Sequence, residues 1–207
     1  MSQGYPRPSL NTSRKILGFG VPPQQLGIGA SFRYKDWNAS FLVEGKSGAQ
    51  VFSGTNVRLI GYGLHQMTVP SGGREAGFVP DGVLEDGTPI TQSLDYTQQQ
   101  NYWGRYNDVA EAGIYDSDYF RMRQMSVGYT FPKTMLEGTF IQSASVSLIG
   151  KNLFFIHNSV PNVDPESAYN NSNSQGLEFA GMPVPTTVGI NVNPVSYTHL
   201  TLPTKST

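Results

Sequence analysis

The sequence contains no cysteine, so disulfides, thiolate chemistry and cysteine-ligated zinc are excluded. It lacks an excess of either charge: 14 Lys and Arg oppose 15 Asp and Glu, for a net charge of -1. A nucleic-acid binder would carry a basic patch that this balance does not supply. Charged residues make up only 14% of the chain, which is little for a soluble surface. No apolar run approaches the ~18 residues of a transmembrane helix. The three histidines, His65, His157 and His199, stand far apart, without the helical spacing of a zinc site. The opening Met1-Ser-Gln-Gly-Tyr-Pro-Arg-Pro has no basic segment followed by an apolar core, so no secretory signal is legible.

What is present favours strands and loops over helices: Gly 23, Pro 14, Tyr 11 and Phe 11, with 38% hydrophobic residues. The centre of the chain is Asp118 to Pro132. From Met125 the apolar residues fall on every second position (Met125, Val127, Tyr129, Phe131), with Gln124, Ser126, Gly128 and Thr130 between them. That is the period of a strand with one apolar and one polar face, which Pro132 ends. A soluble sandwich turns such an apolar face inward, whereas a membrane barrel turns it to lipid.

The same period recurs along the chain. Met1 to Gln25 reads as irregular. Leu26 to Tyr34 alternates as a strand, Lys35-Asp36-Trp37-Asn38 forms a tight turn, and Ala39 to Gly45 completes an antiparallel hairpin. From about Ser53 to Ser117 the alternation dissolves into turn chemistry with scattered aromatics. After the central strand, a short link over Pro132 to Gly138 leads to a strand through Phe140 and Leu148 that runs on to Phe155. A second long polar stretch, Ile156 to Val184, precedes a last strand built on Val188, Ile190 and Val192. Short and long links therefore alternate. A barrel strand needs only ~9–11 tilted residues, and outer-membrane barrels have short turns at one end and long loops at the other.

Candidate functional residues are few. Tyr102 and Trp103 could stack on a sugar ring, pack on a partner, or pack within their own loop. Asp164 and Glu166 could offer oxygen ligands to calcium, although Pro165 between them suits a turn. Asp81, Glu85 and Asp86 lie in turns without calcium-loop spacing, and Gly18-Phe-Gly and Gly27-Ile-Gly lack the setting of a phosphate cradle. Trp37 suits an interfacial aromatic girdle, and Arg121 and Arg123 suit the rim or lumen. No residue is nominated as catalytic, cofactor-binding or metal-ligating.

Asp118-Tyr-Phe-Arg-Met-Arg-Gln-Met-Ser-Val-Gly-Tyr-Thr-Phe-Pro resembles the C-terminal barrel signature of the SusC/RagA group of TonB-linked outer-membrane transporters from Bacteroidetes. Further matches follow in the group's order: Tyr34-Lys35-Asp36-Trp37 with the strand to Gly45 and Gly48, Asn101-Tyr102-Trp103, Gly150-Lys151-Asn152-Leu153-Phe154, Asp164-Pro165-Glu166 and Gly189-Ile190-Asn191-Val192. Together they cover about Leu26 to Asn193. The resemblance implies an importer of oligosaccharides or peptides in the outer membrane of a Gram-negative, Bacteroidetes-like cell. It further implies a plug inside a barrel of roughly 22 strands, a SusD-like lipoprotein over the outer loops, and energy from TonB with ExbB and ExbD through an N-terminal part this chain lacks. Enzymatic activity and nucleic acid are not implied.

The expected fold class is thus all-β: an antiparallel up-and-down meander forming part of a transmembrane β-barrel with long extracellular loops. Residues 1–25 would be an irregular lead-in, 26–193 the C-terminal barrel segment and 194–207 a non-native-looking tail. Pro194 departs from the group's strand ending, and Val195 to Thr207 resembles a translated sequencing adapter, with Met1 as an internal start. The rival expectations are a soluble β-sandwich carbohydrate-binding module with Tyr102 and Trp103 as its platform, and a secreted hydrolase.

Overall fold

The alternation that marks Met125 to Phe131 is realised as strand β5, Tyr119–Phe131, in a computed structural model that describes residues 15–84, 86–167 and 175–196. The same sheet contains β1 (Gln24–Tyr34), β2 (Trp37–Ser47), β6 (Ser143–Lys151), β7 (Phe155–Asn158) and β9 (Thr187–Val195). These form a six-stranded sheet in the order β1-β2-β5-β6-β9, with β7 also paired to β5. Successive long strands are neighbours, so the sheet is an up-and-down meander. β5 and β6 pair antiparallel with Val127 opposite Leu148 and Tyr129 opposite Val146. β6 and β9 pair antiparallel with Leu148 opposite Ile190 and Val146 opposite Val192.

Because opposed residues point to the same side, this register puts Val127, Leu148, Ile190, Tyr129, Val146 and Val192 on one face, and Ser126, Ser147 and Asn191, with Ile149 among them, on the other. The apolar face is open. Ile28 is 54% exposed, Leu148 55% and Ile190 73%, the reverse of a soluble sheet that buries its apolar side. The parity slips before Met125: Phe120 is exposed and Arg121 buried, while Met125 and Val127 are exposed again. The slip faces Asn152, whose φ of 52° is left-handed and whose N–H donates to the Arg123 carbonyl.

Lys35 and Asp36 alone make the turn between β1 and β2, and Lys35 takes a φ of 53°. Pro194 remains in the ladder opposite Ala144, and β9 continues to Val195, whose carbonyl accepts from the Gln142 N–H. β9 is the last strand of the sheet order, where a missing N–H removes no bond to a further neighbour. Residues 1–14 and 197–207, where an internal start and an adapter-like tail are expected, lie outside the described residues, as do Glu85 and the run Asn170 to Ser174.

Among the described residues the chain divides into two units. Leu26–Gly45, Phe120–His157 and the segment from Pro185 form the strand unit. The lead-in through Gln25, with Lys46–Tyr119 and Asn158–Val184, forms the loop unit. The loop unit holds a three-stranded sheet of β3 (Gln50–Ser53), β4 (Ile114–Asp116) and β8 (Leu177–Glu178), with β3 central, antiparallel to β4 and parallel to β8. It also contains two helices where turn chemistry alone is expected, α1 (Gly54–Gly61) and α2 (Tyr96–Gly104). No helix among the described residues is long and apolar enough to cross a membrane.

Candidate functional site

Helix α2 places the two aromatics that the sequence singles out. Asp95 caps its start by accepting from the Gln98 N–H, and the Gln98 side chain accepts from the Asp95 N–H in return, so a polar stretch forms a helix. Tyr102 and Trp103 then fall at its end and are 6% and 7% exposed, packed with Ile60 of α1 and Leu94. Their rings stand 5.0 Å apart at 90°, with Phe78 5.1 Å from Tyr102 and 5.0 Å from Trp103, and Tyr106 5.3 Å from Trp103. Edge-to-face contacts at these distances are the favoured aromatic geometry. Desolvation, then the Tyr106 hydrogen bond, pushes the Tyr102 phenol far above its ordinary pKa, so it remains un-ionised. These rings form the core of the loop unit, and Trp103 also backs the cleft between α1 and α2.

Asp164 is 7% exposed and both of its carboxylate oxygens accept backbone N–H groups, Oδ1 from Glu166 and Oδ2 from Val184. Its carbonyl also accepts from the Ser167 N–H and hydroxyl. This is a loop brace. Glu166 accepts from the Tyr119 hydroxyl at 2.8 Å and lies 3.9 Å from Lys46 Nζ. Together these three line a cleft of about 230 Å³ with Gln50 and Ser117. Among the described residues no group of three or more His, Asp or Glu could hold a metal ion.

The central motif begins in the same unit. Asp118 accepts from the Ser47 hydroxyl at 2.7 Å and the Gly48 N–H at 2.8 Å, where Gly48 turns with a φ of 86°. Tyr119, 2% exposed, fills the space beside it. Glu178, which nothing in the sequence marks, is 2% exposed and accepts from the Ser53 hydroxyl at 2.7 Å, the Thr55 hydroxyl at 2.6 Å and the Gly181 N–H at 3.2 Å. Ser53 in turn caps α1 by accepting from the Asn56 N–H, and Asn56 donates to the Pro161 carbonyl. His65 accepts the Met67 N–H at Nδ1, which fixes the ring proton on Nε2, and burial pulls its pKa below the ordinary value.

A second cleft, of about 290 Å³, lies between the end of α1 and α2 and is lined by Tyr62, Arg74, Tyr96, Gln99 and Gln100. Tyr62 is 74% exposed and Tyr96 84%. Nothing in the sequence marks either tyrosine, because both lie in stretches without a periodic pattern.

In the strand unit the face opposite the apolar one carries a hydrogen-bonded row. Ser40 and Ser126 share a hydrogen bond of 2.8 Å, and Arg123 donates to Glu44 at 2.8 Å and to Asn152 at 2.9 Å. The Arg121 guanidinium sits 3.9 Å above the Phe155 ring. Both arginine side chains thus lie among polar or aromatic partners. Trp37 opens β2, half exposed, with its ring 5.0 Å from that of Tyr129, which is 5.4 Å from Phe131. An aromatic cluster at one end of an apolar sheet face is the pattern of an interfacial girdle.

The Gly150 to Phe154 motif also has a physical reason. A Cβ at Gly150 would lie 2.6 Å from the Leu153 side chain, and Asn152 accepts from Arg123, donates to the Pro185 carbonyl and receives the Thr186 hydroxyl on its own carbonyl.

No family model matches the chain. It is 24% identical over 186 residues to TonB-dependent receptor P3 of Formosa agariphila, a match covering 87% of this chain and 17% of that protein. The chain therefore spans about a sixth of the length of this curated relative. Among solved structures it is similar to the RagAB peptide importer in its closed-closed state, with a TM-score of 0.57 and 14% identity over 90% of this chain and 18% of that one. A second RagAB peptide transporter structure matches with a TM-score of 0.53 and 14% identity over 84% of this chain and 17% of that one. Over most of its length the chain is thus similar in sequence to part of a TonB-dependent receptor and in fold to part of the RagAB importer.

Proposed function

We propose that this chain supplies strands and large outer loops to a TonB-dependent importer in the outer membrane of a Gram-negative cell, one that takes up oligosaccharides or peptides. The observation that carries the reading is the open apolar face of the meander, with Ile28, Leu148 and Ile190 half or more exposed and a hydrogen-bonded polar row on the other side. A lipid-facing barrel wall has this arrangement, with its polar groups toward the lumen. Links support it as well: Lys35–Asp36 and residues 132–142 are the short connections, 48–118 and 152–186 the long ones. The curated relative is named a TonB-dependent receptor and the structural relatives peptide importers, which supports active import as the activity. A SusD-like lipoprotein over the loops and TonB with ExbB and ExbD below the barrel are the partners this reading assigns.

The test is made on the intact transporter carrying this chain. It should fractionate with the outer membrane, run as a heat-modifiable barrel on gels, and co-purify with a lipoprotein. Uptake of its substrate should cease when TonB is deleted. Recovery as a soluble monomer would overturn the reading and favour a soluble carbohydrate-binding module.

A further inference from the structure

The cleft between α1 and α2 backs onto the aromatic core through Trp103, and the Gln99 Nε2–H braces the Leu94 carbonyl at 2.9 Å, but its exposed side chains are chemically specific. Tyr96, Gln99, Gln100 and Trp103 occupy one face of α2, spaced as neighbours on a helix. Trp103 turns into the core, whereas Tyr96 stays in solvent, as does Tyr62 across the cleft at the end of α1. A single exposed aromatic is ordinary, but two on one cleft with two primary amides between them are a set of groups that chemistry can use.

A pyranose ring has an apolar C–H face and a rim of hydroxyls. The face matches a tyrosine ring, and the hydroxyls match an amide that both donates and accepts. A peptide would want an exposed strand edge for its backbone or an apolar groove for its side chains. This cleft is built from helix ends and turns, with no strand in its lining. Its volume of about 290 Å³ falls just below the ~300–1,000 Å³ of pockets that enclose a whole ligand, suited to one ring of a longer chain. Arg74 donates to the Gly63 carbonyl and makes no ion pair among the described residues, so its remaining N–H groups favour an acidic sugar.

We infer that this cleft is a binding subsite for one ring of an oligosaccharide, with Tyr62 and Tyr96 as stacking faces, the Gln99 amide oxygen and the Gln100 amide as hydroxyl partners, and Arg74 as the contact for a uronic acid carboxylate. The inference deepens the import reading, on which it rests for its setting, by assigning the sugar to particular loop residues. It gives the stacking role to two exposed tyrosines beside Trp103, which lines the same cleft from the core side.

The experiment uses the intact, detergent-purified transporter carrying this chain, probed with a panel of neutral and uronic acid oligosaccharides and, in parallel, a peptide library. The variants are Tyr62→Ala, Tyr96→Ala, Tyr62→Phe, Tyr96→Phe, the pair Gln99→Ala with Gln100→Ala, and Arg74→Gln. Each alanine at a tyrosine should weaken oligosaccharide binding about tenfold, while each phenylalanine, which keeps the ring, should restore it. Arg74→Gln should weaken acidic ligands and spare neutral ones. Both tyrosines are exposed, so heat-modifiability should be unchanged and the loss is not one of folding. Absence of oligosaccharide binding by the wild type, binding of peptides only, or wild-type affinity in both alanine variants would each overturn the subsite. Outer-membrane location and TonB-dependent uptake, measured on the same variants, report on the import reading separately.

Discussion

At the scale of single residues, the side chains that hold the loop unit are polar and distant in sequence. Glu178 gathers two hydroxyls and a backbone N–H in a site that excludes water. Glu178→Ala leaves the Ser53 and Thr55 hydroxyls without their acceptor, and it should destabilise the loop unit by about 2–3 kcal/mol. Hydrogen exchange at the start of α1 measures this, and Glu178→Gln, which retains an acceptor, should lose less. His65 gives the unit a pH dependence. Burial lowers its folded pKa, so the unfolded chain binds the proton more readily. Stability is therefore full above the ordinary histidine value of about 6.5 and declines as pH falls below it toward the lower folded value. Limited proteolysis of the loop unit at neutral and mildly acidic pH should show faster cleavage in acid. Substituting His65 with Asn should flatten that difference. Neither role was legible beforehand, because Ser53 and Glu178 meet across most of the chain and no local pattern marks a buried histidine.

At the scale of elements, legibility followed the period. The long strands alternate at every second residue, and β1, β2, β5 and β9 lie close to where that alternation places them, whereas the strand expected from Phe140 to Phe155 is shortened to β6 and broken at Asn152, whose left-handed φ of 52° ends the ladder before β7. Helices α1 and α2 did not announce themselves. Tyr96–Gly104 has three consecutive glutamines and buries only its last two aromatics, so it lacks an apolar stripe. The signal that was available is the spacing Asp95 to Gln98, a capping box. Asp95→Ala should therefore cost about 1 kcal/mol and loosen the packing of Tyr102 and Trp103, seen as a change in tryptophan fluorescence. The sheet makes a prediction of its own, since neighbouring positions on one strand face opposite environments. Val127→Lys should lower the yield of assembled barrel, the charge costing ~2–4 kcal/mol at mid-membrane, whereas Ser126→Lys beside it should assemble well. Equal yields would contradict the assignment of the faces.

At the scale of the whole molecule, a sheet with one open apolar face and two unpaired edges is not a stable body in water. Its edges are β1 and β9, and the apolar residues of both are exposed. The 207-residue chain on its own should aggregate in buffer and recover strand signal in circular dichroism only in detergent. A monodisperse, folded protein in buffer would move the account to a soluble binding module. Here too the sequence was informative only in part. It carried the alternation of strands and links, but which aromatics are buried and which line a cleft depended on helices it did not reveal.

The absence of cysteine makes the most direct measurement clean. Cysteines introduced one at a time at Ser147, Leu148, Ile190 and Asn191, labelled with a fluorophore and reconstituted with a lipid-borne quencher, report which side of β6 and β9 meets the bilayer. Leu148 and Ile190 stand opposite one another in the register, as do Ser147 and Asn191. Strong quenching at 148 and 190 with little at 147 and 191 is the predicted result. Uniform quenching, or the opposite alternation, would contradict the assignment of the apolar face to lipid.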